Sequence, residues 1–136
     1  LAEHRRSATA GTFVFVLSDF LPVPSKETWL ASFENRWDVI PVVIQDPTWE
    51  RSFPDVSGIV VSLREAATGK IVPVRLRRKE IAARRVANEE RFAALVDSFR
   101  ALDLDPVLVS SNEPADLLAA FLDWTEIRRT RRVVGF

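Results

Sequence analysis

The sequence predicts an α/β domain on an open, mostly parallel sheet with flanking helices and an inserted β-hairpin. Three observations carry this. Thr12–Leu17, Val39–Ile44 and Pro106–Val109 are continuous apolar runs, not alternating ones, as expected of strands buried on both faces. The segments between them include stretches with helical spacing of apolar residues. Each run ends in polar residues, namely Ser18-Asp19, Gln45-Asp46 and Ser110-Ser111-Asn112. In a parallel sheet those ends share one edge, where α/β proteins hold their ligands.

Each element has its own signal. Residues 1–11 are small and polar and read as a frayed start. After Thr12–Leu17, Pro22 and Pro24 break the chain and Ser25 offers an N-cap for a helix over Lys26–Arg36. Trp29, Phe33 and Trp37 recur at i, i+4 and i+8, giving that helix an aromatic face for packing on the sheet. Pro41 has no N–H to donate, so it belongs near the start of its strand or on an unpaired side. Ile59–Leu63 and Ile71–Leu76 flank Ala66-Ala67-Thr68-Gly69 as the arms of a hairpin, and Pro73 marks the second arm as an edge. From Lys79 to Leu102, Phe92, Leu95, Val96, Phe99 and Leu102 form a helical stripe, with Arg84, Arg85, Glu89, Glu90 and Arg91 outside. Ser111 or Asn112 caps a last helix whose Leu117, Leu118, Phe121 and Leu122 face inward. No repeat or internal linker interrupts this order, so residues 1–136 read as a single domain. Alternating strands and helices with right-handed crossovers give the sheet its parallel sense.

Composition narrows the function classes. The chain has 19 basic and 19 acidic side chains, a formal charge of zero, which lacks the cationic surplus that nucleic-acid binding needs. It has no cysteine, so disulfides and thiolate metal sites are excluded. No apolar run reaches the roughly 20 residues of a membrane span, and no secretory leader is expected. Methionine is absent, even at position 1, so the chain reads as a piece of a longer protein.

Catalytic patterns are weak. His4 is the only histidine and lies in the polar start, and Ser18 is not in a G-x-S-x-G elbow, so a Ser18/Asp19/His4 triad lacks a fixed base. Asp46 and Asp55 sit beside prolines, where turn formation explains them as well as acid–base chemistry does. The four glycines form no phosphate loop. Two basic clusters stand out, Arg75-Arg77-Arg78-Lys79 with Arg84-Arg85, and Arg128-Arg129-Arg131-Arg132. They read as solvated faces or as contacts for an acidic partner or anionic lipid. The tail Val133-Val134-Gly135-Phe136 is either a docking segment or the cut end of a longer element.

VFVLSDF at Val14–Phe20, then Trp37-Asp38-Val39, Asp46-Pro47, Phe53-Pro54-Asp55, Thr68-Gly69-Lys70, and Pro106–Ser111 with Asn112-Glu113, resemble in order and spacing the bacterial domain-of-unknown-function family fifty-eight. The resemblance runs from about Gly11 to Arg132. It implies the C-terminal half of a von Willebrand type A-like (Rossmann-like) domain, commonly encoded beside a MoxR-type AAA+ ATPase. Members open that domain with an Asp-x-Ser-x-Ser metal-ion-dependent adhesion motif, which this sequence lacks. Where the family has an acidic residue three positions after the Asp of Asp-Pro, Trp49 stands here and Glu50 follows.

By the resemblance, Asp19 with Ser18 is the candidate metal position, an incomplete site that would be completed by ligands from elsewhere. A hard cation such as Mg²⁺ takes about six oxygen ligands, and these two residues supply a fragment of that shell. The chain by itself is therefore expected to hold no cofactor, with Mg²⁺ possible in an intact parent. The expected role is a non-enzymatic protein-interaction or scaffold module, cytoplasmic, with a MoxR-type ATPase as partner. It is expected to contact neither nucleic acid nor, except through segments beyond this chain, membrane. It is also expected to self-associate through strand 12–17, whose edge carries no Pro, Lys or Glu. The alternatives are a small hydrolase using the polar strand ends and a purely structural dimerisation domain.

Overall fold

The computed structural model describes residues 11–34, 36–65 and 68–134. The polar start with His4, the loop residues Ala66 and Ala67, and Gly135-Phe136 of the tail lie outside the described residues. The elements run β1 (Phe13–Ser18), α1 (Lys26–Phe33), β2 (Asp38–Ile44), β3 (Val60–Arg64), β4 (Ile71–Arg75), α2 (Arg78–Arg100), β5 (Val107–Val109) and α3 (Pro114–Val134). They form an α/β architecture with a parallel sheet β1-β2-β5 and a separate antiparallel pair β3-β4. The chain divides into two compact units: the part up to Gln45 with the part from Ala94, and the inserted Asp46–Ala93.

In the first unit β2 is central. It pairs with β1 along its length (Phe13↔Asp38 to Ser18↔Val43) and with β5 only from Val42↔Val107 to Ile44↔Val109. This resolves the position of Pro41. Asp38 donates its N–H to Thr12 on the β1 side, and Gln45 donates to Val109 on the β5 side. Alternation along a parallel ladder therefore turns the nitrogen of residue 41 toward β5, one residue before that pairing begins. A buried proline fits a central strand because the ladder has no use for its missing donor.

Apolar packing holds this unit. Ile40, Val42, Val107, Val109 and Trp124 form one buried group, with Leu117, Ala120 and Phe121 of α3 against it. Phe20, Trp29 and Phe99 form another, with Phe99 edge-on to Phe20 at 5.3 Å and to Trp29 at 5.6 Å. Ser25 caps α1 as expected, its hydroxyl accepting from the Thr28 N–H. The aromatic stripe is corrected in one respect. Helix α1 stops at Phe33, Arg36 takes a positive φ of 56°, and the buried Trp37 belongs to the approach to β2. In α3, Leu117 and Phe121 pack inward, but Leu118 and Leu122 are exposed, against the inward placement expected of all four. The helix begins with Pro114 at its first position, and the Ser111 hydroxyl accepts the Glu113 N–H just before it.

In the inserted unit, Phe53, Leu76 and Ile81 are buried with Val56, Val61 and Val74 around them. Gly69 turns the hairpin at φ 69°, a conformation an L side chain resists. The polar side chains of α2 are more than a solvated exterior. Asn88 donates to the carbonyls of Trp49 and Ser52, Arg91 to that of Glu50, and Arg85 to that of Phe53. They satisfy the carbonyls of a segment with no ladder of its own.

Candidate functional site

The three parallel strands end on one edge of the sheet, and the polar residues there are ordered by local bonding. Ser18 Oγ accepts the Phe20 N–H at 3.0 Å, and Asp19 Oδ1 accepts the Leu21 N–H at 3.1 Å, an Asx-type turn. That turn holds Phe20 at φ 51°, an uncommon conformation for a side chain of its size, and delivers its ring to Trp29 and Phe99. Gln45 fastens the turn to β2. Its amide donates to the Asp19 carbonyl at 2.5 Å, while its other polar side-chain atom, Oε1, is buried without a hydrogen-bond partner among the described residues. Sequence reasoning placed Gln45 on this edge but not its role; the structure shows it buried there, and the sequence signalled only a polar residue closing an apolar run.

As a metal position the edge is sparse. Asp19 is exposed and already accepts from the backbone, and no group of three or more His, Cys, Asp or Glu side chains converges among the described residues. Ser18 and Asp19 on their own do not fit a hexacoordinate cation. At the third strand end, Ser110 and Asn112 are exposed and Ser111 serves the α3 start.

Asp46 opens the inserted unit, with its own task. Its Oδ1 accepts the N–H groups of Thr48 at 2.7 Å and Trp49 at 2.9 Å, and Glu50 Oε2 accepts the Asp46 N–H at 2.7 Å. This is a reciprocally capped turn, and it gives the acidic residue at 50, after Trp49, a structural reason. Asp55 is exposed in the same unit.

At the opposite, amino-terminal edge of the sheet lies an open concavity of about 660 Å³ lined by Phe33, Trp37, Asp38, Asp103, Asp105, Arg128 and Arg131 among others. The second basic cluster is partly consumed here. Arg128 pairs with Asp38 and lies over the rings of Phe13 and Trp124. Arg131 reaches Asp105 at 2.7 Å and Asp103 at 3.2 Å. These two arginines are fold contacts, not free docking charges. Their i, i+3 spacing put them on one helix face; the acidic partners were not legible.

The outer flank of β1 is the other unassigned surface. β1 is a sheet edge, and Phe13, Phe15 and Leu17 are 56%, 44% and 63% exposed. Phe15 meets Phe121 and Trp124 of α3 edge-on, at 6.0 and 6.4 Å, which covers it in part. The aromatic stripe of α1 and its exit adds nothing to this patch: Trp29 and Trp37 are buried and Phe33 is half-buried.

A family model described as protein of unknown function DUF58 matches residues 2–99. The chain belongs to the DUF58 family. The DUF58 match takes in β1, α1, β2, the hairpin and α2 up to Phe99, and β5 and α3 follow it in the chain. No curated protein and no solved structure matches this chain. Among the described residues of this DUF58 chain, no helix is long and apolar enough to cross a membrane.

Proposed function

We propose that this DUF58 chain is a non-enzymatic protein-interaction module that acts as the later part of a von Willebrand type A-like sheet, in the cytoplasm, with a MoxR-type AAA+ ATPase as partner. One observation carries the reading: the apolar edge of β1, which pairs with no other strand among the described residues. Residues 12, 14, 16 and 18 direct their backbone groups to β2, as the Asp38 to Thr12 bond requires, so Phe13, Phe15 and Leu17 present N–H and C=O outward. An edge with free donors, free acceptors and apolar side chains is a template for another strand. Asp19 then contributes to a metal position only where a second polypeptide segment brings further oxygen ligands.

The test is gel filtration of the chain with a MoxR-type AAA+ ATPase, using intact chain and Phe13→Lys with Leu17→Lys. Co-elution of the intact chain and its loss in the variant is the expected result. Ester or phosphate hydrolysis that disappears in Ser18→Ala would replace this reading with the hydrolase. Self-association through β1 with no ATPase binding would leave a purely structural dimerisation domain.

A further inference from the structure

The inserted unit carries a second surface that the β1 edge does not explain. Residues 59–79 hold six cations, Arg64, Lys70, Arg75, Arg77, Arg78 and Lys79, against one carboxylate, Glu65, in a chain whose formal charge is zero. None of the six is ion-paired with a described residue. The nearby carboxylates are occupied: Glu65 accepts the Thr68 hydroxyl at 2.5 Å, and Glu80 accepts the Arg77 N–H at 2.8 Å.

The hairpin register sorts these charges. Val61 and Val74 pair and pack inward on Phe53, Leu76 and Ile81. Alternation then turns Val60, Arg64, Ile71, Pro73 and Arg75 to the opposite face, where Val60 is 62% and Ile71 57% exposed. At the base of the hairpin, Arg75, Arg77 and Arg78 join Ser57, Gly58 and Leu76 around a concavity of about 410 Å³. Gly58, at φ 87°, donates to the Leu76 carbonyl and makes the turn beneath it.

We infer that this outer hairpin face, with the arginine-lined concavity at its base, docks on an anionic phospholipid surface. The charge complementarity is to phosphate: guanidinium groups fork onto phosphate oxygens, and the Ser57 hydroxyl can add a donor. Small aliphatic side chains interleaved with cations suit the boundary between headgroups and hydrocarbon. The face has no Trp, Tyr or Phe, so attraction rests on the cations and on the exposed aliphatic side chains Val60 and Ile71. Contact of this kind needs no membrane-crossing helix.

The test is sedimentation of the full chain with vesicles of phosphatidylglycerol and phosphatidylcholine, against vesicles of phosphatidylcholine alone. The intact chain sediments with the anionic vesicles only, and less so as salt rises. Arg75→Gln with Arg78→Gln weakens partition about 30-fold, the size expected for two cations at an anionic leaflet. Both residues are exposed, so the fold is not at risk, and circular dichroism verifies it. Val60→Ser with Ile71→Ser also weakens partition while leaving charge untouched. Arg100→Gln with Arg129→Gln, the same charge change in the other unit, alters partition by no more than about two-fold if the hairpin is the site. An equal effect of the two arginine pairs, or equal binding to both vesicle types, overturns the proposal. Binding of polyglutamate or inorganic pyrophosphate without vesicle binding also overturns it, and assigns the patch to an acidic protein or to a free phosphate.

Discussion

Leu17→Pro tests the β1 edge where it is most specific. Leu17 is 63% exposed and its N–H points away from β2, so proline there removes an outward donor and leaves the β1–β2 ladder intact. Two copies pairing antiparallel about Phe15 set Phe13 against Leu17 and exchange six backbone hydrogen bonds. The substitution removes two of these by symmetry. At about 1 kcal/mol net for each bond, and somewhat more where an acceptor is stranded, the loss is roughly 2–3 kcal/mol. That corresponds to a dissociation constant raised about 30- to 150-fold. Sedimentation equilibrium over a concentration series reads this directly, with Leu17→Ala separating the backbone effect from the side chain. Val14→Pro is the informative contrast. Val14 bonds to β2, so proline there lowers the melting temperature as well as association. A monomeric intact chain at high concentration, or a Leu17→Pro chain that associates as tightly as its parent, would refute the reasoning.

Other expectations follow from single contacts. Phe99 is fully buried between Phe20 and Trp29, so Phe99→Ala should lower unfolding stability by about 4 kcal/mol in urea, and a loss below about 1 kcal/mol would show that the aromatic group collapses freely. Gln45→Met should stay within about 1 kcal/mol of the parent, because losing the bond to Asp19 is offset by removing a buried, unpartnered oxygen. Gln45→Ala adds a cavity and should cost about 2 kcal/mol or more; equal urea midpoints for the two variants would contradict that balance. Calorimetry with Mg²⁺ should give no one-to-one site of micromolar affinity, and such a site abolished by Asp19→Ala would reverse the ligand-count argument.

The parts of the fold legible in the sequence are those set by near neighbours. Ser25 announces α1 because its hydroxyl needs a partner only three residues on. The run of β2 is visible because a strand covered on both faces is apolar throughout; β1 and β5 are apolar as well, but Phe13, Phe15, Leu17 and Leu108 are exposed, so there the continuous run did not mean burial on both faces. Trp37 misled because helical spacing continues arithmetically through it while the backbone turns at Arg36. Leu118 and Leu122 misled for another reason. A helix that is apolar on more than one side shows its inward stripe only when the width of the sheet beneath it is known. The pairing of Arg128 with Asp38 spans 90 positions and exists only once the sheet has closed. At the candidate site, the order of polar strand ends was readable, but the bond from Gln45 to the Asp19 carbonyl joins two strands and was not.

Pro41 also matters in time. On the ribosome β2 emerges with β1 already available on one side, but its β5 partner, from Val107, follows more than 60 residues later. At about 5–20 residues per second that delay lasts several seconds, during which the β5 side of β2 is a bare edge. Closing the pair afterward is easier if the hairpin of the inserted unit has already shortened the intervening loop, each halving of which saves about 0.6 kcal/mol of closure entropy. Until then a proline nitrogen facing that side offers no donor to a stray strand. A residue that looks like a blemish in the finished sheet thus leaves the nascent edge one donor short.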